Sequence, residues 1–138
     1  MKPRNESQQQ ECTLIGLDVG SHSVKTVLLQ GGSRVIELPI SGGRERPLKQ
    51  VRDALATILD RWPAEKYRLA ITGGGAAPVC ELLGLEPVDT STALAAAFNI
   101  LEPNVRTVIE MGRETQRYLL FRKDDKTGRL VIEDSSVG

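Results

Sequence analysis

A surplus of charge of either sign is the first thing missing. Eighteen Lys and Arg balance eighteen Asp and Glu over 138 residues, so there is no overall basic field of the kind that holds nucleic acid. Cysteine is scarce too. Cys12 and Cys80 are the only two, far apart and without metal-ligand spacing, which reads as free thiols in a reducing cytoplasm. One histidine, His22, with no surrounding motif is too little for a Ser–His or Cys–His nucleophile. No apolar run approaches the ~20 residues of a membrane span, and the N-terminus has no signal-peptide core. No G-x-x-x-x-G-K-[ST] occurs, which excludes a P-loop. Gly73-Gly74-Gly75 does not extend to G-x-G-x-x-G, and Pro78 stands where a Rossmann helix would be established. The expectation is a soluble, cytoplasmic protein with no nucleic-acid or membrane partner.

What the chain does have is a motif written twice. Gly16-Leu17-Asp18-Val19-Gly20-Ser21-His22-Ser23-Val24-Lys25 is echoed by Thr107-Val108-Ile109-Glu110-Met111-Gly112-Arg113-Glu114-Thr115-Gln116-Arg117 at an offset of 92 residues (110 − 18). Each copy ends an apolar, β-rich run on an acid. A Gly follows two residues later, then small polar residues, a cation and a second apolar run. That is a strand, a tight turn and a returning strand. An acid beside a Gly-containing turn offers a carboxylate to a hydrated metal ion and backbone N–H groups to phosphate oxygens. Two such hairpins suit the phosphate tail of a nucleotide. Asp18 and Glu110 are therefore the candidate carboxylates for magnesium, acting through its water. Gly20, Ser21, His22, Ser23, Lys25, Gly112, Arg113 and Thr115 are the candidate phosphate contacts. Lys25 and Arg117 read equally as solvent-facing strand residues, and His22 as a solvated turn residue whose N–H matters more than its ring.

The remaining pattern supplies a frame. Met1 to Glu11 reads as a disordered tail. Strands are expected over Cys12–Leu17, Val24–Gln30 and Val35–Ile40. A helix follows from Pro47 with Leu48, Val51, Leu55, Ile58, Leu59 and Trp62 on its apolar face. Tyr67–Thr72 reads as a strand closing on Gly73-Gly74-Gly75, whose glycines suit a close backbone crossing beside the phosphate site, so Gly73 and Gly74 join the candidates. A short helix over Ala76–Leu83, a short strand at Leu85–Asp89 and a helix over Thr92–Leu101 complete the unit. Asp89, Thr90 or Ser91 can cap that last helix, whose Leu94, Ala97, Phe98 and Leu101 face a core. The order is α/β and ribonuclease-H-like, with a mixed sheet. The second hairpin restarts it, so one domain is expected over 12–102 and the first strands of another over 105–138, incomplete, as in a truncated chain.

These motifs resemble those of the actin, sugar-kinase and heat-shock-chaperone ATPases. Within that group the nearer likeness is to the activator ATPases of 2-hydroxyacyl-CoA dehydratases and benzoyl-CoA reductases. Asp18 to Lys25 matches their first phosphate motif, Thr72 to Gly75 their T-G-x-G segment and Thr107 to Arg117 their second phosphate motif. The resemblance implies an actin-like ATPase fold, ATP and Mg²⁺ as ligands, and ATP hydrolysis that drives an electron into a dehydratase or reductase partner. It also implies a [4Fe–4S] cluster shared across a homodimer in the full-length family, whose Cys ligands this sequence lacks. Glu110 replaces the family's more usual Asp. Arg113 replaces a Gly, and either supplies charge to a phosphate or blocks it. The sequence as it stands is expected to be inactive by itself. Two other readings remain: a non-enzymatic actin-like scaffold of the pilus-assembly or cell-division type, and a sugar or carboxylate kinase.

Overall fold

The computed structural model describes residues 12–31, 34–43, 46–112 and 115–138. The expected tail at 1–11 and Arg113 lie outside them. The chain divides into two compact units between Pro87 and Val88.

In the first unit, β1 (Cys12–Val19) and β2 (Ser23–Gln30) form an antiparallel hairpin, and β5 (Lys66–Thr72) runs parallel to β1 on its other side. β3 (Arg34–Glu37) and the two-residue β4 (Ser41–Gly42) both pair with β2. The sheet order is β3-β2-β1-β5, which puts β1 at the centre. Strict alternation explains why. Thr13, Ile15, Leu17 and Val19 turn to one face with Val24, Thr26 and Leu28. Helices α1 (Pro47–Arg61) and α2 (Ala76–Leu83) supply Val51, Ile58, Ala76, Val79 and Cys80 to the same core. Fully burying one aliphatic side chain of this size is worth roughly 1.5–3 kcal/mol, so this face fixes the register of the hairpin.

Three details depart from the sequence pattern. The third strand stops at Glu37, with Leu38 still donating to Thr26, because Pro39 has no N–H to give the ladder. Pairing resumes at β4 with the register moved by one residue. On α1 the buried side chains are Gln50, Val51, Ala54 and Ile58, whereas Leu48 and Leu59 are exposed. The stretch after α2 is not a strand. Gly84 takes a left-handed conformation (φ 65°) and Leu85 N–H donates back to the Cys80 carbonyl, a helix stop followed at once by Pro87.

The second unit is helix α3 (Thr90–Leu101) on an antiparallel sheet of β6 (Thr107–Met111), β7 (Gln116–Lys123) and β8 (Leu130–Val137). Asp89 caps α3 by accepting from Thr92 N–H at 2.9 Å. Leu94, Ala95 and Phe98 pack on Leu119, Phe121 and Leu130, with the Phe98 and Phe121 rings tilted at 6.2 Å. Asn99 locks the pair. Its amide donates to the Ala95 and Leu130 carbonyls and accepts from Leu130 N–H. The sequence groups α3 with the strands before it, up to 102; in the structure it packs on the strands after it. Ala97 and Leu101, expected in its core face, are exposed.

Candidate functional site

The two copies of the repeated motif close with the same backbone hydrogen bond. In the first hairpin Gly20 N–H donates to the Ser23 carbonyl at 2.9 Å, and in the second Gly112 N–H donates to the Thr115 carbonyl at 2.8 Å. Both closures are tight for a side chain, the second more so. A Cβ at Gly20 would stand 3.1 Å from Ser23 O, and one at Gly112 would stand 2.8 Å from Thr115 O. Two residues before each Gly, the acid sits directly across the ladder from the cation: Asp18 opposite Lys25, Glu110 opposite Arg117. Both rungs are ion pairs, at 3.0 Å and 3.2 Å.

The first hairpin is braced from two directions. On one side, β4 pairs Gly42 with Ser23, and Gly43 N–H reaches the His22 carbonyl. Ser21 Oγ lies 2.7 Å from His22 Nδ1. On the other side, the glycines after β5 cross the end of β1. Gly75 N–H donates to Val19 O at 2.8 Å. Gly73 has φ +99°, and a Cβ there would fall 2.4 Å from Val19 O and 2.6 Å from Asp18 Oδ1. Only glycine lets the segment lie against the Asp18 carboxylate. A Cβ at Gly74 meets nothing within 4 Å, so its place is not set by packing.

Asp18, Gly20, Ser21, His22, Ser23, Lys25 and Gly73 thus gather at one end of the first sheet, with Gly74 beside them. Glu110, Gly112 and Thr115 gather at the matching end of the second. Three residues at these ends escaped the candidate set. Gly75 was signalled by its place in the glycine triplet, and Arg117 by its equivalence to Lys25 at the same 92-residue offset. Ser91, which accepts from Arg117 Nη1 at 2.6 Å, carries no sequence signal, because 26 residues separate the pair.

The Asp89 carboxyl is lowered from its ordinary value. Its hydrogen bond from Thr92 N–H is the main cause, opposed by partial desolvation and helped by the Thr92 hydroxyl and the Arg117 charge. Burial pushes the Cys80 thiol up, with a further push from the charge of Glu86.

Among the described residues no three His, Cys, Asp or Glu side chains gather into a metal cage. One carboxylate beside a tight turn is nevertheless the donor set for a cation that keeps its water shell, as Mg²⁺ does. The Asp18 side chain is 40% exposed, which leaves it open to such a hydrated ion, so its donor chemistry fits hydrated Mg²⁺. The residues present do not fit a [4Fe–4S] cluster, for Cys12 and Cys80 are free, the second buried in the core. No helix among the described residues is long and apolar enough to cross a membrane.

No protein-family model and no curated protein matches the chain. Solved structures do. Component A of (R)-2-hydroxyglutaryl-CoA dehydratase from Acidaminococcus fermentans aligns with a TM-score of 0.68 and 18% identity, covering 92% of this chain and 47% of that one. The activator of 2-hydroxyisocaproyl-CoA dehydratase from Clostridium difficile, solved with bound ADPNP, aligns with a TM-score of 0.62 and 22% identity over 91% of this chain and 45% of that one. The ethanolamine utilization protein EutJ from Carboxydothermus hydrogenoformans gives 0.60 and 18% over 91% and 51%. The chain thus spans less than two thirds of each of these proteins. Its mixed α/β fold is structurally similar to these dehydratase activator components and resembles the N-terminal half of an actin-like ATPase.

Proposed function

We propose that this chain carries the phosphate-binding hairpins of an ATP-dependent activator that serves a 2-hydroxyacyl-CoA dehydratase or benzoyl-CoA reductase. The observation that carries the reading is the duplication of one turn to the level of its closing hydrogen bond, with an acid–cation rung at the same place in each copy. In this reading Asp18 and Glu110 hold hydrated Mg²⁺ through its water. The turns at Gly20–Ser23 and Gly112–Thr115 present backbone donors to phosphate oxygens, and Arg113 contributes its charge to a phosphate. Gly73 and Gly74 keep side chains out of the way, and Gly73 seats the Asp18 carboxylate. Lys25, whose side chain is 60% exposed, has room to turn from Asp18 toward a phosphate. Mg²⁺, when bound, neutralises phosphate charge and orients the chain. Positioning and charge neutralisation are most of what phosphoryl transfer asks of a protein.

The same reading assigns a cytoplasmic setting, a dehydratase or reductase as partner, and a homodimer with its [4Fe–4S] cluster in the full-length form. The isolated chain binds Mg²⁺–ATP weakly, in the millimolar regime, because it spans about half of the activators it matches and buries little of the ligand.

Nuclear magnetic resonance detects such binding. Mg²⁺–ATP is expected to shift the amides of residues 18–25, 72–75 and 110–117. Asp18→Asn, which keeps the shape and removes the charge, is expected to abolish the advantage of Mg²⁺–ATP over metal-free ATP while leaving the fold intact. No shift at either hairpin overturns the reading in favour of a scaffold whose hairpins are structural turns.

A further inference from the structure

The two acid–cation rungs are alike in position but differ in how the cation is held. Lys25 reaches Asp18 with a side chain that is 60% exposed. The Arg117 side chain is only 13% exposed, and its guanidinium is divided between two elements. Nη1 donates to Ser91 Oγ, in the first turn of α3, at 2.6 Å. Nε faces Glu110 Oε2 at 3.2 Å. Both of the latter atoms are shut off from solvent and neither makes an aligned hydrogen bond, so they meet as ions. The remaining exposure of Glu110, 36% of its side chain, therefore belongs to atoms other than Oε2. A bidentate guanidinium fork would occupy both oxygens of the carboxylate. Here one end of the fork is anchored on Ser91, which leaves Glu110 restrained but not saturated.

We infer that Arg117 is a positioning residue for Glu110, and that Ser91 sets Arg117. The pair aims the free oxygen of Glu110 at the water of a hydrated divalent cation and ties the second phosphate hairpin to α3. Asp89 completes the arrangement from the cap of the same helix, where its charge and that of Arg117 attract each other. The inference rests on the phosphate reading of the hairpins and adds to it a division of labour. The first hairpin has an exposed cation that can move to the ligand. In the second the cation is fixed and serves the acid.

The test uses the 138-residue chain with Mn²⁺–ATP and metal-free ATP, followed by nuclear magnetic resonance, in Ser91→Ala, Arg117→Lys and the double variant. Lysine keeps the charge but cannot span both partners. Removing a group that orients a metal-side ligand typically costs about 10–100-fold in metal affinity. Each single variant is therefore expected to weaken Mn²⁺–ATP binding about 10-fold and to leave metal-free ATP unchanged. The double variant should be no worse than Arg117→Lys, because Ser91 acts only through Arg117. If the variants weaken both forms equally, in step with a lower melting temperature, the contact is structural and the inference is overturned. Variants that match the parent in both arms overturn it as well, with the phosphate reading intact. A parent chain that binds neither form removes the phosphate reading itself and the inference with it.

Discussion

Set side by side, the hairpins of β1–β2 and β6–β7 share a turn and differ in which face is covered. Leu17 and Val19, the neighbours of Asp18, are 1% and 0% exposed; Ile109 and Met111, the corresponding neighbours of Glu110, are 68% and 84% exposed. In the first unit α1 and α2 cover the face opposite the acid, and the Asp18–Lys25 rung looks outward with Leu14. In the second, α3 covers the acid's own face, where Glu110 and Arg117 line up with Val108, Leu119 and Phe121. A tight turn is therefore a local device, closed by one hydrogen bond and a missing Cβ. The packing around it is decided by other parts of the chain. The same ten-residue phrase can sit with either side against a core.

That contrast can be broken in several ways, from the largest effect downward. Among the described residues eleven buried side chains make the first core and three the second, so amide exchange should be slowest in β1, β2 and β5 and faster throughout β6–β8. Equal protection would mean that the uncovered face costs the second sheet nothing. Gly73→Ala adds a Cβ against two oxygens at a positive φ and should destabilise the first unit by about 2–3 kcal/mol in urea titrations read at Trp62. Gly74→Ala, with open space around it, should stay within about 0.5 kcal/mol of the parent.

The rungs themselves come next. Asp18→Asn leaves an exposed Lys25 and should change stability by less than about 0.5 kcal/mol. Glu110→Gln leaves a mostly covered Arg117 charge without its counter-ion. Because Glu110 is itself partly exposed, solvent screens the loss, which should be about 1–2 kcal/mol. Equal costs at the two sites would erase the distinction between an outward and an inward rung. Asp89→Ala should cost about 1 kcal/mol as a lost N-cap, seen as earlier melting of α3. Asp89 titrates below the ordinary aspartate value of 3.8 when folded. Its contribution is thus present above that value and fades as pH falls through the lower, folded one. A parent-minus-variant stability difference that stays flat on acidification would contradict the cap.

Much of this was legible from residue order. Alternation in Thr13–Val19 and Val24–Leu28 marks the first hairpin and the face it buries. The Gly-x-x-polar closures follow from the repeat. What could not be read was set by partners distant in sequence. Leu94 and Phe98 show that α3 has an apolar face, but not which sheet receives it; that is decided by Phe121 and by the Asn99–Leu130 bonds. On α1 the apolar arc from Leu48 to Leu59 is wider than the sheet can cover, and Ala54 wins a central place because it is small. Gly73 is visible as a glycine; its pressure on Asp18 depends on the parallel β1–β5 register. The Arg117–Ser91 bond is of the same long-range kind.

The interruption at Pro39 has a consequence beyond register. β3 and β4 together form the outer margin of the first sheet, and an outer strand with an unbroken row of donors and acceptors is a template for strands of other molecules. Pro39 withholds one donor and shifts the pairing midway, so the margin offers a foreign strand four residues and then two. β6 lies at the margin of the second sheet, with its own Ile109 and Met111 exposed and no proline within it. If this chain self-associates on concentration or heating, the fibrous contacts should begin at β6, and a lysine at Ile109 should delay them while one at Val35 does little.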